Sequence, residues 1–181
     1  SMSESLGIQA QMIDGRRVTD EETLKVVTMV YAGLINKTIV SKLNAAGCMS
    51  IGLSGADGEF IVSDKRAPIP VDYGFVGDLK GVDTSLARML GDNGYTLVVA
   101  PITAGPAGGL LNTNADTVAQ AIATAMAHDG EVELVYCFEK KGVLADVGDE
   151  DSVISSINES YFEELKSGGI ISDGMLPILE N

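Results

Sequence analysis

Tyr95-Thr96-Leu97-Val98-Val99-Ala100, then the glycine-rich turn Gly105 to Gly109, then Asn112-Thr113-Asn114-Ala115-Asp116 leading into a repeat of Val118, Ile122, Ala125 and Met126, decides the fold class. A continuous apolar run is the pattern of a strand covered on both faces, and apolar residues three to four apart mark a helix, so strand hands over to helix across a turn. Beyond it, Leu134 to Phe138 predicts the next strand, and Glu159 to Lys166 a helix stopped by Gly168-Gly169 after the acidic turn Asp149-Glu150-Asp151. Toward the N-terminus, Gly74 to Leu79 predicts a strand, and Asp83 opens a short helix through Leu90. Met49 to Leu53 and Glu59 to Ser63 flank the turn Ser54-Gly55-Ala56-Asp57-Gly58 and predict a hairpin-like excursion. The strongest helix signal precedes them. Thr19 is its expected cap and Glu22 the partner in a capping box, with Leu24, Val27, Val30, Tyr31, Leu34, Ile35, Ile39 and Leu43 at helical spacing until Gly47. The alternation predicts an α/β fold, a three-layer sandwich with a mainly parallel open sheet.

With 181 residues, 45% of them hydrophobic, the chain suits one well-buried core in a single domain. A net charge of −14 repels phosphate backbones and anionic lipid, which argues against nucleic acid or a membrane surface as partner. The same field disfavours anionic ligands generally, so a site for one must concentrate positive charge or helix N-termini. Cys48 and Cys137 both sit in apolar runs and are expected to be buried thiols outside any disulfide framework. The single histidine, His128, falls at a helix end and suits the surface there; no protein-bound metal site is expected. No apolar run of roughly 20 residues and no basic leader stand out, so a cytoplasmic location is expected.

Asn112, Asn114 and Asp116 fall where a strand passes into a helix, the edge at which open α/β sheets bind ligands. Their amides can donate to and accept from a polar ligand while the helix N-terminus favours its negative charge; equally, Asn114 or Asp116 can simply cap the helix. Arg16 and Arg17 suit either a bidentate carboxylate clamp or a surface salt bridge. Gly105 to Gly109 lacks the Gly-Lys-Ser/Thr ending of a phosphate loop and reads as a turn. Lys140-Lys141-Gly142 can meet nucleotide phosphates or lie solvated in a loop.

Six blocks occur in an order that resembles the N-acetylglutamate kinases of the amino acid kinase family: Gly15 to Leu24, Asn36-Lys37, Gly52 to Gly58, Gly74 to Asp78, Asn112 to Asp116, and Gly169 to Pro177. The resemblance implies the amino acid kinase fold and ATP-dependent phosphorylation of the side-chain carboxylate of an N-acylated glutamate, a step of arginine biosynthesis. By the same resemblance Arg17 grips the α-carboxylate, Asn112 and Asn114 hold the acylated amino acid, and Asp116 orients the lysines that neutralise the transferred phosphoryl. Tyr136, Lys141, Gly142, Ile170, Asp173 and Met175 are implied nucleotide contacts, with Mg²⁺ carried mainly by the ATP phosphates. The division implied is an acylglutamate-binding and dimerisation part over 1–116 and a nucleotide-binding part over 117–181, and a homodimer is expected through the 19–46 helix.

Val135 to Leu144 departs from the common Thr-Asp-x-x-Gly form and is similar to a Bacteroidetes-type variant, some members of which are thought to use N-succinylglutamate. Family members open with a strand bearing Lys-x-Gly-Gly, followed by a Gly-Gly-Gly loop, and neither precedes Ser1-Met2-Ser3. Ile178 stands where the family places a phosphate-binding lysine. A fragment of a larger enzyme is the expectation, with a noncatalytic N-acylglutamate-binding or assembly module as the alternative.

Overall fold

The computed structural model describes residues 12–13, 16–128, 130–137, 141–146, 148–170 and 179, without the side chains of residues 12, 16 and 17. The chain forms two compact units, Ser1–Val132 and Glu133–Asn181.

The first unit opens with a short antiparallel pair, β1 (Met12–Ile13) and β2 (Arg16–Arg17). Helix α1 (Glu21–Ala45) follows. Its cap is Asp20, whose Oδ1 accepts from the Thr23 amide at 2.7 Å, and Glu21 and Glu22 complement the dipole in the first turn. Thr19, the expected cap, is fully buried one residue earlier and forms a parallel bridge with Gly74. Its backbone belongs to that bridge, which leaves the capping to Asp20.

The helix is not uniform: Glu21–Val27 and Asn36–Ala45 are α-helical, and Thr28–Ile35 between them is π-helical. A wider turn rotates the later residues relative to a stripe spaced for 3.6 residues per turn. Val26 and Val27 are accordingly buried, whereas Leu34 (56% exposed), Ile35 (45%) and Ile39 (42%), expected on the same face, look outward. Gly47, at φ +84°, ends the helix as expected, with the Cys48 amide donating to Leu43 O and the Gly47 amide to Asn44 O in a Schellman motif. Against the expectation from sequence, α1 at 25 residues with an 18-residue window of mean hydropathy 1.2 is long and apolar enough to cross a membrane by those measures alone; 22% of that window is buried.

β3 (Ser50–Ser54) pairs in parallel with β6 (Thr96–Ala100), Ser50 opposite Thr96 and Ser54 opposite Ala100. β4 (Ile61–Lys65), β5 (Gly77–Val82), β7 (Ile102–Ala104) and β8 (Leu110–Asn112) form a second sheet in the order β5-β4-β7-β8. There β4 and β7 run parallel, and the β4–β5 and β7–β8 pairs antiparallel. The expected hairpin of β3 with β4 does not form. The Gly55 amide donates to Ile102 O and Ile61 N donates back to Gly55 O, so the chain leaves β3 for the other sheet. A side chain at Gly55 would come within 2.8 Å of Ile61 Cβ, which makes glycine necessary at this crossing. Gly105 to Gly109 is a turn as expected, closed by Gly105 N donating to Gly109 O at 2.7 Å.

Helices α2 (Ser85–Asp92) and α3 (Ala115–Ala127) complete the unit. Phe60, Ile61, Ala87 and Val118 form its buried cluster, joined by Leu97, Val99, Ile122 and Met126 from the strand and helix that the sequence pattern identifies. His128 is exposed at the end of α3.

In the second unit the strand expected from Leu134 is absent: 134–137 are irregular, Val135 is 67% exposed, and Cys137 is exposed rather than buried; Phe138 lies outside the described residues. Among the described residues no strand pairs with this segment, and an apolar run without ladder partners gains no β-structure from its propensity. Cys48, in the first unit, is half-buried. Helix α4 (Glu159–Ser167) is capped by Asn158, whose Oδ1 accepts from Tyr161 N at 2.9 Å, and it ends at Gly168-Gly169 as expected. Leu144 and Leu165 are the buried apolar residues of this unit among those described.

Candidate functional site

The segment Asn112 to Asp116 lies at the end of β8 and the start of α3. Asn114 is the N-cap, its Oδ1 accepting from the Thr117 amide at 2.9 Å and the Thr117 hydroxyl at 3.2 Å. That commits the carbonyl oxygen, so a ligand contact from this side chain runs through Nδ2. Asp116 is half-buried in the first turn of the same helix. Thr113, between Asn112 and Asn114, is buried, its hydroxyl 2.8 Å from that of Thr103 and its amide donating to Pro101 O. With Thr113 fixed inward, the flanking Asn112 and Asn114 hold their places at the helix entrance.

Asn112 is held from two directions. Its amide donates to Phe75 O at 2.9 Å, and its side-chain Nδ2 donates to Thr19 Oγ1 at 3.1 Å. Thr19 follows β2 in sequence, so a contact with Asn112 exists just beyond the strand that carries Arg17. The backbone of Arg17 pairs with Met12; its side chain is outside the described residues. The Gly74 to Asp78 block serves this junction too. Gly74 lies at φ +74°, and a Cβ there would come within 2.2 Å of Thr19 O; one at Gly77 would come within 2.4 Å of Thr113 Oγ1. Only glycine permits both approaches.

The other blocks have structural work. Asn36 is buried in α1, and its Nδ2 donates to Leu53 O and to Val98 O at 2.8 Å, fastening the helix to β3 and β6. Lys37 Nζ donates to Gly52 O at 2.9 Å. Asp57 accepts from both the amide and the hydroxyl of Ser54, closing the turn after β3.

Of the expected nucleotide contacts in the second unit, Lys141 Nζ is 2.7 Å from Asp151 Oδ1 in a solvent-exposed pair, and Gly142 packs so closely on Val153 that a Cβ would approach Val153 Cγ1 to 2.8 Å. Tyr136 is half-buried. The Ile170 amide donates to Leu165 O in the C-terminal cap of α4, which leaves its carbonyl and side chain for other contacts. Asp173, Met175 and Ile178 lie outside the described residues. Thr19 and Gly74 carry more of the site's geometry than the sequence indicated; the signal available was the pairing of a Thr near Arg17 with an isolated glycine in a strand pattern.

Over residues 1–181 the chain matches the amino acid kinase family. It is 57% identical to the acetylglutamate kinase of Cytophaga hutchinsonii, with 99% of this chain aligned to 69% of that protein. It is 54% identical to that of Bacteroides thetaiotaomicron (97% of this chain, 68% of that one) and 44% identical to that of Methanopyrus kandleri (98% and 72%). Among solved structures, smu.665 from Streptococcus mutans UA159 superposes with a TM-score of 0.84 at 27% identity, covering 99% of this chain and 69% of that one. An N-acetylglutamate synthase structure from Neisseria gonorrhoeae, with a TM-score of 0.55 at 21% identity over 67% of this chain and 28% of that one, shares the fold. On the match to the family and to these relatives, the chain belongs to the amino acid kinase family.

Proposed function

We propose that the chain carries the acceptor site, and part of the nucleotide site, for ATP-dependent phosphorylation of the side-chain carboxylate of N-acetyl-L-glutamate in arginine biosynthesis. The observation that carries this is the Asn112 to Asp116 turn, which sets two carboxamides and a carboxylate at the N-terminus of a 13-residue helix, in a chain whose relatives are named acetylglutamate kinases. In a protein of net charge −14, a helix N-terminus with amide donors is one of the few places that favours a dicarboxylate.

In this reading Arg17 binds the α-carboxylate, Asn112 the acylated amino acid and Asn114, through Nδ2, its carboxylate end. Asp116 orients the cations that meet the transferred phosphoryl. Phosphoryl transfer of this type proceeds by positioning and charge neutralisation and needs no nucleophile from the protein. The segments Tyr136 to Gly142 and Gly169 to Met175 supply nucleotide contacts. Mg²⁺ enters with the ATP phosphates; among the described residues no group of three His, Cys, Asp or Glu side chains is arranged to hold a metal ion. The protein acts in the cytoplasm as a homodimer.

Ile178 at the family's lysine position favours a second reading, a noncatalytic N-acylglutamate-binding or assembly module. Calorimetry with N-acetylglutamate and N-succinylglutamate, run beside an ADP-release assay, separates the possibilities. Saturable N-acetylglutamate binding in the range of about 1 µM to 1 mM is expected. Binding without turnover favours the module, tighter binding of the succinyl compound reassigns the acyl group, and no saturable binding of either overturns the acceptor site.

A further inference from the structure

We propose that Thr19 is a positioning residue of the acceptor site, its buried hydroxyl fixing the Asn112 side chain and its backbone anchoring the segment that carries Arg17. The inference rests on the reading that Asn112 contacts the acylated glutamate.

Thr19 is fully buried, and its Oγ1 accepts from Asn112 Nδ2 at 3.1 Å across 93 residues of sequence. The backbone around it is equally constrained: Thr19 N donates to Tyr73 O at 2.9 Å, and Phe75 N donates to Thr19 O at 2.7 Å. Phe75 O in turn accepts from Asn112 N at 2.9 Å, and Val76 bridges Asn112. Thr19, Phe75 and Asn112 therefore close a ring of hydrogen bonds, two made by backbone and one by side chains. The close approach of Gly74 to Thr19 O leaves the ring no slack on that side.

Two consequences follow. Swinging the Asn112 side chain away from Thr19 costs this contact, so the carboxamide is held in place before a ligand arrives, and with Nδ2 toward Thr19 its Oδ1 is left as the acceptor. Arg17 is two residues from Thr19, so the same residue anchors the backbone that carries the arginine.

The test uses Thr19→Val, which keeps the shape and removes the hydroxyl, and Thr19→Ser, which keeps the hydroxyl. N-acetylglutamate affinity is read by calorimetry on the whole chain. Thr19→Val is expected to weaken binding about five- to tenfold, Thr19→Ser to stay within about twofold of the parent, and Thr19→Val to add little on an Asn112→Ala background, since coupled partners are not additive. Unchanged affinity in Thr19→Val, or full additivity with Asn112→Ala, overturns the inference. An Asn112→Ala variant that binds like the parent overturns the acceptor-site reading and this inference with it. A second measurement needs no Thr19 variant: an Asn112 side-chain amide proton, assigned by its loss in Asn112→Ala, is expected to exchange with solvent at least about tenfold more slowly than that of a free asparagine amide. Equal rates overturn the inference.

Discussion

Under the proposed function, a guanidinium that grips an anionic ligand has more leverage in this chain than in most, because Lys and Arg number 12 against 26 Asp and Glu. Arg17→Ala is expected to lower N-acetylglutamate affinity about tenfold or more, the loss of about 1.5–3 kcal/mol typical of a hydrogen bond to a charged group. Calorimetry checks it, and an unchanged affinity makes Arg17 a surface ion-pair residue. Asp20 tests the folding side of the same junction. Hydrogen bonds from the Thr23 side chain and amide hold its carboxyl below the ordinary value of 3.8. A depressed folded pKa means that the cap's stabilisation is present above the unfolded value and is lost as pH falls through the folded one. Asp20→Ala should therefore lower stability by about 1 kcal/mol near neutral pH, and the gap from the parent should narrow once pH drops below 3.8. Urea midpoints near pH 7 and near pH 3 measure both. A gap that does not depend on pH shows that the carboxylate charge plays no part in the cap.

At the scale of elements, α1 is the feature that the isolated chain leaves least satisfied. Leu34, Ile35 and Ile39 are exposed on a helix whose other side is fastened to β3 and β6 through Asn36. A row of exposed aliphatic side chains on one helix is the self-complementary surface that two-fold dimers bury. A dimer mass by light scattering at micromolar concentration is expected, with Ile39→Glu shifting the chain to monomer. A parent that runs as a monomer removes the α1 dimer.

For the whole molecule, the expected behaviour is recognition with slow chemistry. The charge on a phosphoryl in transfer is met by preorganised cations and backbone donors, and loss of one such donor costs about 10² to 10³ in rate. By the family resemblance, Ile178 stands where a phosphate-binding lysine is expected. Turnover of N-acetylglutamate and ATP is therefore expected to be measurable but to fall about 10² to 10³ below that of relatives that carry the lysine. An ADP-release assay decides; rates within the usual kinase range of roughly 1–100 per second would show that other cations serve the transition state.

The sequence by itself determined the α/β class, the helix starting at Asn114, the helix ends at Gly47 and Gly168-Gly169, and the six blocks that mark the family. Helix caps and stops are set by hydrogen bonds within one turn, between residues three to five apart, so residue types signal them, although at α1 the cap fell to Asp20 and not to Thr19. The tertiary structure decided that β3 joins β6 rather than β4, that 134–137 form no strand, and that Thr28–Ile35 is π-helical. It also turned Thr19 from an expected cap into the partner of Asn112. Strand partners and side-chain contacts across 93 residues depend on which surfaces pack together, and local propensity carries no information about that choice.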